Sequence, residues 1–502
     1  MEFSPLLSWL LNPINTNNTF YYIFFFSSTI SFSLFSYFLF AKKFMNHIFP
    51  SCKCEICQSF ITSSWREKFT NLPDWYTYLL TNSPTKTIHI HILNNTIIAN
   101  PKNVEYILRT NFDNYPKGKA MSTILGDLLG QGIFVVDGEH WRFQRKLASL
   151  ELGSVSVRAY AQEVVGKEIK DHLVPNLMTK SLIDLADVFK RFSFVNVCKF
   201  TFGIDDPLDL ARLAEAFDVS SRLSAERALS PSWLVWKYKR FFNIGPEKKL
   251  KDAIRKVNVL AENIMKERRK KGFHKSDLLS RFMGSLSDDK YVRDIVVSFL
   301  LAGRDTVASG LTMFFYLMAR NPLAEARILD EINRVMSGST SRIAIPTIEE
   351  MKEMHYLQAA LHETLRLYPP VQMDSKFAKN EDVLPDGTRV KKGTRVAYHP
   401  YAMGRMENLW GPNCLEFKPE RWLDNRGVFI PENPYKYPIF QAGVRVCLGR
   451  DMALLSMKVV AVALMRRFHI KLADPNWVPH FVSGLSASLK EGMSVVVTER
   501  LV

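Results

Sequence analysis

The chain has 502 residues, of which 47% are hydrophobic and 23% are charged, and its formal net charge is +16 at pH 7. This composition is typical of a folded protein and excludes a disordered chain. The positive charge suits an acidic protein partner or an anionic membrane surface. It also suits nucleic acid, but no zinc-finger, basic-zipper or aromatic RNA-binding motif accompanies it, so no nucleic-acid partner is expected.

The N-terminal segment predicts a membrane anchor. Phe20–Phe40 is apolar apart from scattered serine and threonine, and about 20 such residues span a bilayer as a helix. Lys42 and Lys43 follow directly, which places the rest of the chain on the cytosolic side by the positive-inside rule. A cleaved signal peptide is the alternative, but the apolar run is too long and no basic residue precedes it. We therefore expect a single uncleaved anchor.

Cysteine is used sparingly, at Cys52, Cys54, Cys57, Cys198, Cys414 and Cys447. In a cytosol-facing body these residues argue against a disulfide framework. Cys52, Cys54 and Cys57 have the spacing of half a metal site. A fourth ligand at a familiar spacing is missing, although His47, His89 and His91 are near in sequence, so a local structural cluster is favoured over zinc.

Strand and helix patterns follow the linker. Thr87–Leu93 and Thr96–Ala99, joined by two asparagines, predict a β-hairpin by their alternation and turn chemistry. From Pro101 to about Arg366 the patterns are mainly helical, and strand patterns return near the C-terminus. Because strands and helices do not alternate regularly, the predicted fold class is mainly α (α+β), a helix-rich body with small β-sheets.

The segment Phe440–Gly449, FQAGVRVCLG, has the form F-x-x-G-x-R-x-C-x-G. A long helical pattern begins at Leu448, so Cys447 lies near a helix N-terminus, where the helix dipole and free N–H groups favour a thiolate. Gly443 and Gly449 let the backbone turn sharply or approach a flat molecule. A cysteine merely buried at a helix start would leave this combination unexplained.

This segment resembles the haem-binding signature of the cytochrome P-450 family. The resemblance implies that Cys447 is the proximal ligand of haem iron, that Arg445 pairs with a haem propionate and that Phe440 shields the sulfur, with Gly443 and Gly449 beside the macrocycle. It implies the cytochrome P-450 fold around a buried heme b. The implied domains are an anchor over residues 1–41, a linker over 42–65 and a catalytic domain over 66–502.

A second motif lies in the apolar helical segment Ile295–Met318. Gly303 and the polar pair Asp305 and Thr306 are costly in such a helix unless they are used. They resemble the distal helix of the family, where a local distortion makes room for O₂. Thr306 would then hydrogen-bond the oxygen and Asp305 would relay protons. Taken alone, a threonine bonding back to its own helix would be the favoured interpretation.

Further motifs occur in the order that the family requires. Glu363 and Arg366 share a helix face, and Arg421 has the position of the family's third member of a structural, non-catalytic triad. Trp141 and Arg145 also share a helix face, and an indole N–H and a guanidinium suit haem carboxylates. Lys376 is a weaker candidate for the same role.

Within the family, Cys52–Cys57, Asn111–Pro116 and Glu151–Arg158 resemble a plant subgroup that oxidises the terminal carbon of fatty acids or of jasmonoyl-isoleucine. Val446–Leu448 favours the jasmonate branch. The expected activity is therefore that of a haem-thiolate monooxygenase acting on the terminal (omega) carbon of an amphipathic carboxylate. Jasmonoyl-isoleucine or its 12-hydroxy form is favoured, in jasmonate hormone catabolism, and fatty acid omega-hydroxylation is the alternative.

Two alternatives belong to other classes: an O₂-independent haem-thiolate isomerase or dehydratase, and a non-catalytic haem-binding protein. Asp305 and Thr306 argue against both, because neither class needs to handle oxygen. A monooxygenase needs two electrons, and the chain has no nucleotide-binding motif or flavin domain. The implied partner is a separate NADPH-cytochrome P-450 reductase, steered to the basic surface. The expected location is the endoplasmic reticulum membrane, with lipid around a single-pass anchor and a cytosolic catalytic domain.

The resemblance places substrate contacts in Asn111–Gly132, in the distal helix, in Val371–Lys376 and in Ser483–Leu485. A substrate carboxylate needs a cation near the pocket mouth. Lys117 and Lys119 are available, but we expect both to be solvated loop lysines.

Overall fold

The structure is a computed structural model that describes residues 28–29, 52–179, 181–230, 233–272, 276–338, 344–482 and 484–500. The predicted anchor falls almost entirely outside these residues. Within them, Asp289–Arg320 is the one helix that is long and apolar enough to cross a membrane. Its most apolar stretch is 56% buried inside the protein, so we interpret it as a core helix.

Helices make up most of the body. In chain order they are α1 (Glu55–Thr62), α2 (Leu72–Asn82), α3 (Pro101–Glu105), α4 (Gly118–Leu129), α5 (Gly138–Gly153), α6 (Val155–Glu168), α7 (Val174–Met178), α8 (Leu185–Phe202), α9 (Pro207–Leu229), α10 (Trp233–Phe241), α11 (Gly245–Lys271), α12 (Leu278–Ser285), α13 (Asp289–Arg320), α14 (Pro322–Val335), α15 (Ile348–Glu353), α16 (His355–Leu367), α17 (Pro400–Met403), α18 (Glu407–Trp410) and α19 (Arg450–Arg467).

The strands are short. They are β1 (Thr87–Ile90), β2 (Asn95–Ile98), β3 (Leu182–Asp184), β4 (Asp374–Phe377), β5 (Asp382–Val383), β6 (Arg389–Val390), β7 (Arg395–Tyr398), β8 (Phe468–Leu472), β9 (Phe481–Val482), β10 (Ser488–Leu489) and β11 (Ser494–Glu499). They form sheets of order β1-β2-β7-β4 and β3-β11-β8, with two further strand pairs. The predicted helix-rich body with small sheets is confirmed.

The predicted hairpin is present, but its turn is longer than expected. β1 and β2 pair antiparallel, with Thr87 opposite Ile98. The first strand ends at Ile90, and His91–Leu93 forms a 3₁₀ turn that closes through Asn94 in the left-handed conformation. The prediction that His91 continues the strand beside His89 is therefore wrong, because asparagine tolerates positive φ and permits this turn.

The core is organised around α13. This helix packs along α8 and also against α16 and α19. Leu311 and Phe314 of α13, Leu361 of α16 and Val460 of α19 are buried in one cluster. Apolar residues surround α13 on most sides, as expected of a helix buried on all its faces. This arrangement places the middle of α13 and the start of α19 inside the protein.

Two buried histidines make the fold sensitive to acid. His362 packs among the rings of Trp422, Phe429 and Tyr437, and neither of its ring nitrogens has a hydrogen-bond partner among the described residues. Burial lowers the pKa of His362 to about 3 and that of His399 to about 3. Between pH 6.5 and 3 only the unfolded chain binds these two protons, so the free energy of unfolding falls as the pH falls.

We expect each histidine to cost about 2 kcal/mol of stability at pH 5, at about 1.4 kcal/mol per pH unit. His362→Phe keeps a ring in the aromatic cluster and removes one titrating group. Its unfolding free energy, measured between pH 7.5 and pH 4, should fall less steeply than that of the wild type. His140→Gln, at an exposed position, is the matched control and should keep the wild-type slope. An unchanged slope in His362→Phe would contradict a neutral buried imidazole.

Candidate active site

The loop that carries Cys447 is closed by the backbone. Two 3₁₀ turns precede it, the Cys447 N–H donates to the Phe440 carbonyl at 2.8 Å, and α19 begins at Arg450. Gly443 has φ +63°, and a Cβ there would lie 2.2 Å from the Leu108 carbonyl oxygen. Only glycine fits this position. The structure thus places Cys447 just before a long helix, as the sequence pattern predicts.

The Cys447 side chain is accessible and yet closely surrounded by protein. The side chain is exposed although the protein surrounds it closely enough for burial to raise the pKa of its thiol. The Gly449 N–H, which donates to the sulfur, and the charge of Arg145 oppose this shift in pKa. The N–H group at the helix start therefore acts in the expected direction, toward a thiolate, while desolvation acts against it. A metal cation at the sulfur would reverse the balance.

The middle of α13 contains a half-buried stretch. Leu301, Gly303, Asp305 and Thr306 are half-buried within this core helix. A Cβ at Gly303 would lie 2.7 Å from the Val197 Cγ2 atom, so glycine permits the close packing of α8 on α13. Leu301 also packs on the same core cluster as Leu448. The predicted distal helix and the cysteine loop thus border one region of the core.

The predicted distortion of this helix is not found. Asp289–Arg320 is an uninterrupted α-helix. The Thr306 Oγ1 donates to the Ala302 carbonyl at 2.6 Å, the back-bonding that threonine commonly makes in helices. The hydroxyl thus satisfies the helix backbone without breaking it, and the expectation of a local distortion is wrong.

Asp305 is held by two neighbours. Its Oδ2 accepts from the Ser486 hydroxyl at 3.3 Å, and its Oδ1 lies 3.5 Å from the Arg304 Nε. Ser486 follows the predicted substrate-contact segment Ser483–Leu485, of which residue 483 lies outside the described residues. No sequence pattern indicates this contact, because Asp305 and Ser486 are far apart along the chain.

Arg445 lies between Asp137 and Trp141. Its Nη2 donates to the Asp137 Oδ1 at 2.6 Å, and its guanidinium carbon lies 4.5 Å from the Trp141 ring centroid. Its Nε is buried and lacks a hydrogen-bond partner among the described residues. From the next turn of α5, Arg145 donates to the Val446 carbonyl at 2.5 Å. The predicted W-x-x-x-R helix therefore contacts the cysteine loop.

Lys376 is fully buried and pairs with Asp374. The Lys376 Nζ lies 3.0 Å from the Asp374 Oδ2, and the Lys117 Nζ lies 2.7 Å from the Asp374 Oδ1. Burial lowers the pKa of Lys376, and the two ammonium groups lower the pKa of Asp374. Lys117 is therefore buried and paired, and its prediction as a solvated loop lysine is wrong. Lys119 is exposed.

Sequence reasoning missed both carboxylates that neutralise these cations. Asp374 stands two residues before Lys376, on the same strand face, and this alternation was a usable signal. Asp137 directly precedes α5, a position that normally indicates a helix cap. Its side chain instead accepts from the Lys117 and Gly118 N–H groups and from Arg445.

The predicted triad comes together in the core. The Arg366 Nε and Nη2 donate to Glu363 at 2.7 and 2.8 Å, and the Arg421 Nε donates to it at 3.2 Å. The Trp422 indole also donates to Glu363, at 2.9 Å. Arg366 further donates to the Cys414 carbonyl at 2.6 Å. The carboxylate thus joins α16 to the segment that precedes the cysteine loop.

The residues around Cys447 fit an iron porphyrin. The Cys447 thiol is accessible, and a Cβ at Gly449 would meet only its sulfur, at 4.0 Å. Burial lowers the pKa of Arg445 and of Lys376, and the charge of Arg145 lowers that of Arg445 further, as the charge of Arg445 does for Lys376. The Arg445 Nε, which has no partner among the described residues, is a donor suited to a propionate. A planar group with two carboxylates and a soft metal matches this donor set.

A family comparison decides the assignment. The cytochrome P450 family model matches residues 75–491. The chain belongs to the cytochrome P450 family. The resemblance drawn from the motifs is therefore confirmed.

Individual P450 relatives extend the match. Cytochrome P450 94C1 of Arabidopsis thaliana is 55% identical over 492 residues, which cover 94% of this chain and 99% of that protein. Cytochrome P450 94B3 of the same plant is 47% identical over 87% of this chain and 90% of that protein. Cytochrome P450 94A1 of Vicia sativa is 39% identical over 87% of this chain and 88% of that protein.

Membership in the P450 family establishes the reaction class. The protein is a monooxygenase that uses heme b and receives electrons from NADPH through a reductase. The predicted enzyme class and cofactor are confirmed.

Proposed function

We propose that this P450 oxidises the terminal carbon of an amphipathic carboxylate, jasmonoyl-isoleucine or 12-hydroxy-jasmonoyl-isoleucine, in jasmonate hormone catabolism. One structural observation carries the terminal-carbon chemistry. One core cluster contacts half-buried apolar side chains from three separate segments: Met121, Leu301 and Leu485. Leu448, the residue that follows Cys447, packs on the same cluster. Such a cluster suits an apolar chain end beside the iron.

The choice of jasmonate over fatty acid rests on sequence. Val446–Leu448 resembles the jasmonate-oxidising branch. The chain is also more similar to cytochrome P450 94C1, at 55% identity, than to cytochrome P450 94A1, at 39% identity. Fatty acid omega-hydroxylation remains the second candidate, because an apolar cluster accepts either chain end.

We assign a separate role to each group of side chains around the haem. When bound, haem supplies the oxidising power of activated O₂. Cys447 holds the iron, while Arg145, Arg445 and Lys376 hold the haem carboxylates. Phe440 and the glycines Gly443 and Gly449 shape the loop around the sulfur. The triad of Glu363, Arg366 and Arg421 holds the segment that precedes this loop against α16. Trp141 packs over Arg445.

We assign oxygen binding and proton transfer to residues of α13. Thr306 presents a hydroxyl on the half-buried face of this helix, and Asp305 is held beside Ser486. The hydroxyl can turn from the Ala302 carbonyl to hydrogen-bond oxygen, and the carboxylate can pass a proton. The apolar residues on the same face orient the substrate and exclude water.

A membrane location suits the surface of the body. Tyr238, Phe241, Phe242 and Ile244, within and just after α10, are exposed, and basic residues alternate with them. Mixed aromatic and basic side chains favour a membrane interface. We place the protein at the endoplasmic reticulum membrane, held by the predicted anchor, with its catalytic domain in the cytosol and the reductase as its partner.

Turnover of three substrates tests the substrate proposal. Full-length protein, NADPH and a plant reductase would be given jasmonoyl-isoleucine, its 12-hydroxy form or lauric acid, and products quantified by mass spectrometry. We expect kcat/KM for a jasmonate substrate to exceed that for lauric acid by at least about 10-fold. The reverse order would support the fatty acid hydroxylase. No turnover of any substrate would defeat the substrate proposal and leave the family assignment intact.

Thr306 is tested by separating product formation from electron consumption. In Thr306→Ala we expect the product formed per NADPH oxidised to fall by at least about 10-fold, because the hydroxyl that organises proton delivery is lost. Thr306→Ser keeps the hydroxyl and should recover most of the coupling. The reduced carbon monoxide spectrum checks that both variants hold haem through the thiolate. Wild-type coupling in Thr306→Ala would contradict the assigned role.

A further inference from the structure

Three cysteine sulfurs converge at the start of the described body. The sulfurs of Cys52, Cys54 and Cys57 all lie within 4.8 Å of one another, and those of Cys52 and Cys54 are 3.3 Å apart. A tetrahedral Zn²⁺ with Zn–S bonds of about 2.3 Å separates its sulfurs by about 3.8 Å. The Cys52–Cys54 separation is slightly shorter than this value, and the 4.8 Å limit on the other two separations includes it, so small side-chain rotations would complete three corners of a tetrahedron.

The start of α1 holds these cysteines together. Cys54 is the N-cap residue of α1 and makes no capping hydrogen bond to that helix, and Cys57 is the third residue of the helix. The Gln58 side chain donates to the Cys52 carbonyl at 2.7 Å, which ties the backbone of the third cysteine to the same helix. The helix start therefore positions all three residues of the cluster.

Burial distinguishes the cluster from reactive surface thiols. Cys57 is fully buried, while Cys52 and Cys54 are half-buried and pack on the apolar cluster around the β1–β2 sheet. Burial protects the Cys57 thiol from bulk oxidants, and the half-buried Cys52 and Cys54 leave the cluster accessible to a metal ion. A reducing cytosol would keep the thiols free to bind metal.

We propose that Cys52, Cys54 and Cys57 form a Zn²⁺ site with three thiolate ligands and a fourth position taken by water. Thiolates select soft ions, and Zn²⁺ accepts a tetrahedral set without redox chemistry. The site lies within the predicted linker over residues 42–65, at the start of α1. The proposal is independent of the substrate and reverses the preference for a metal-free cluster drawn from the sequence.

Zinc stoichiometry tests the site. Full-length protein, solubilised in detergent, freed of any affinity tag and washed in metal-free buffer, would be equilibrated with chelator-buffered Zn²⁺ and its zinc and iron measured by mass spectrometry. We expect one Zn²⁺ per haem. Outer-shell changes alone weaken metal sites by about 10–100-fold, so Cys54→Ser, which removes a ligand, should weaken binding by more than about 100-fold. Cys414→Ser, a buried cysteine outside the cluster, should keep wild-type zinc.

The haem provides an internal check of folding. The half-buried Cys54 is preferred for the main variant because Cys57→Ser alters a fully buried position. A wild-type carbon monoxide spectrum in Cys54→Ser shows that zinc loss is not a loss of fold. The proposal is overturned if wild-type protein takes up no Zn²⁺, if Cys54→Ser and Cys57→Ser both keep wild-type zinc, or if alkylation shows a Cys52–Cys54 disulfide in protein taken from cells.

Discussion

Cys447→Ser is expected to abolish monooxygenase turnover while leaving a folded protein. The thiolate donates electron density to haem iron and favours O–O cleavage, and a serine hydroxyl is a poor substitute. We expect product formation to fall by more than about 1000-fold, which corresponds to more than about 4 kcal/mol in the activation barrier. Product analysis with NADPH and reductase measures the loss.

The reduced carbon monoxide spectrum identifies its cause. The thiolate-specific Soret band should be absent from Cys447→Ser and present in Cys414→Ser, which changes a buried cysteine outside the cysteine loop. The Cys447 N–H that closes the loop onto Phe440 is retained in the serine variant, so the loop should keep its conformation. A thiolate-type spectrum in Cys447→Ser would refute the assignment of this residue as the iron ligand.

Glu363→Ala is expected to cause the largest loss of stability. Glu363 and Arg366 are both fully buried, and Glu363 also accepts from Arg421, Trp422 and the Lys418 N–H. Removing the carboxylate leaves the charge of Arg366 without its partner. Breaking a buried pair in this way costs about 3–5 kcal/mol, a large part of the roughly 5–15 kcal/mol that holds a typical protein folded.

Thermal unfolding and haem content measure this effect. We expect Glu363→Ala to yield little haem-loaded protein and to unfold well below the wild-type midpoint. Glu105→Ala is the matched control, because its ion pair with Arg109 is exposed, with 68% of the arginine side chain and 40% of the glutamate side chain accessible. Such a pair contributes less than about 1 kcal/mol. Equal stability of the two variants would contradict a structural triad.

Much of the site was predictable because its parts are local. Trp141 and Arg145, like Glu363 and Arg366, lie one helical turn apart, so their shared faces follow from helix geometry alone. Cys447 and its glycines lie within the ten consecutive residues Phe440–Gly449. The remaining parts were not predictable, because they join distant segments: Asp137 to Arg445, Lys117 to Asp374, and Ser486 to Asp305.

The chemistry of this protein was determined by its sequence: the thiol before a long helix, the polar pair in an apolar helix and the mainly helical class all follow from neighbouring residues. Tertiary structure decided how charge and burial are distributed. It paired Lys117 with Asp374, desolvated Cys447 enough to raise the pKa of its thiol and brought three cysteine sulfurs within 4.8 Å of one another. These outcomes depend on desolvation and on contacts between remote segments. They could not be predicted from the sequence, because the spacing of residues along the chain encodes neither.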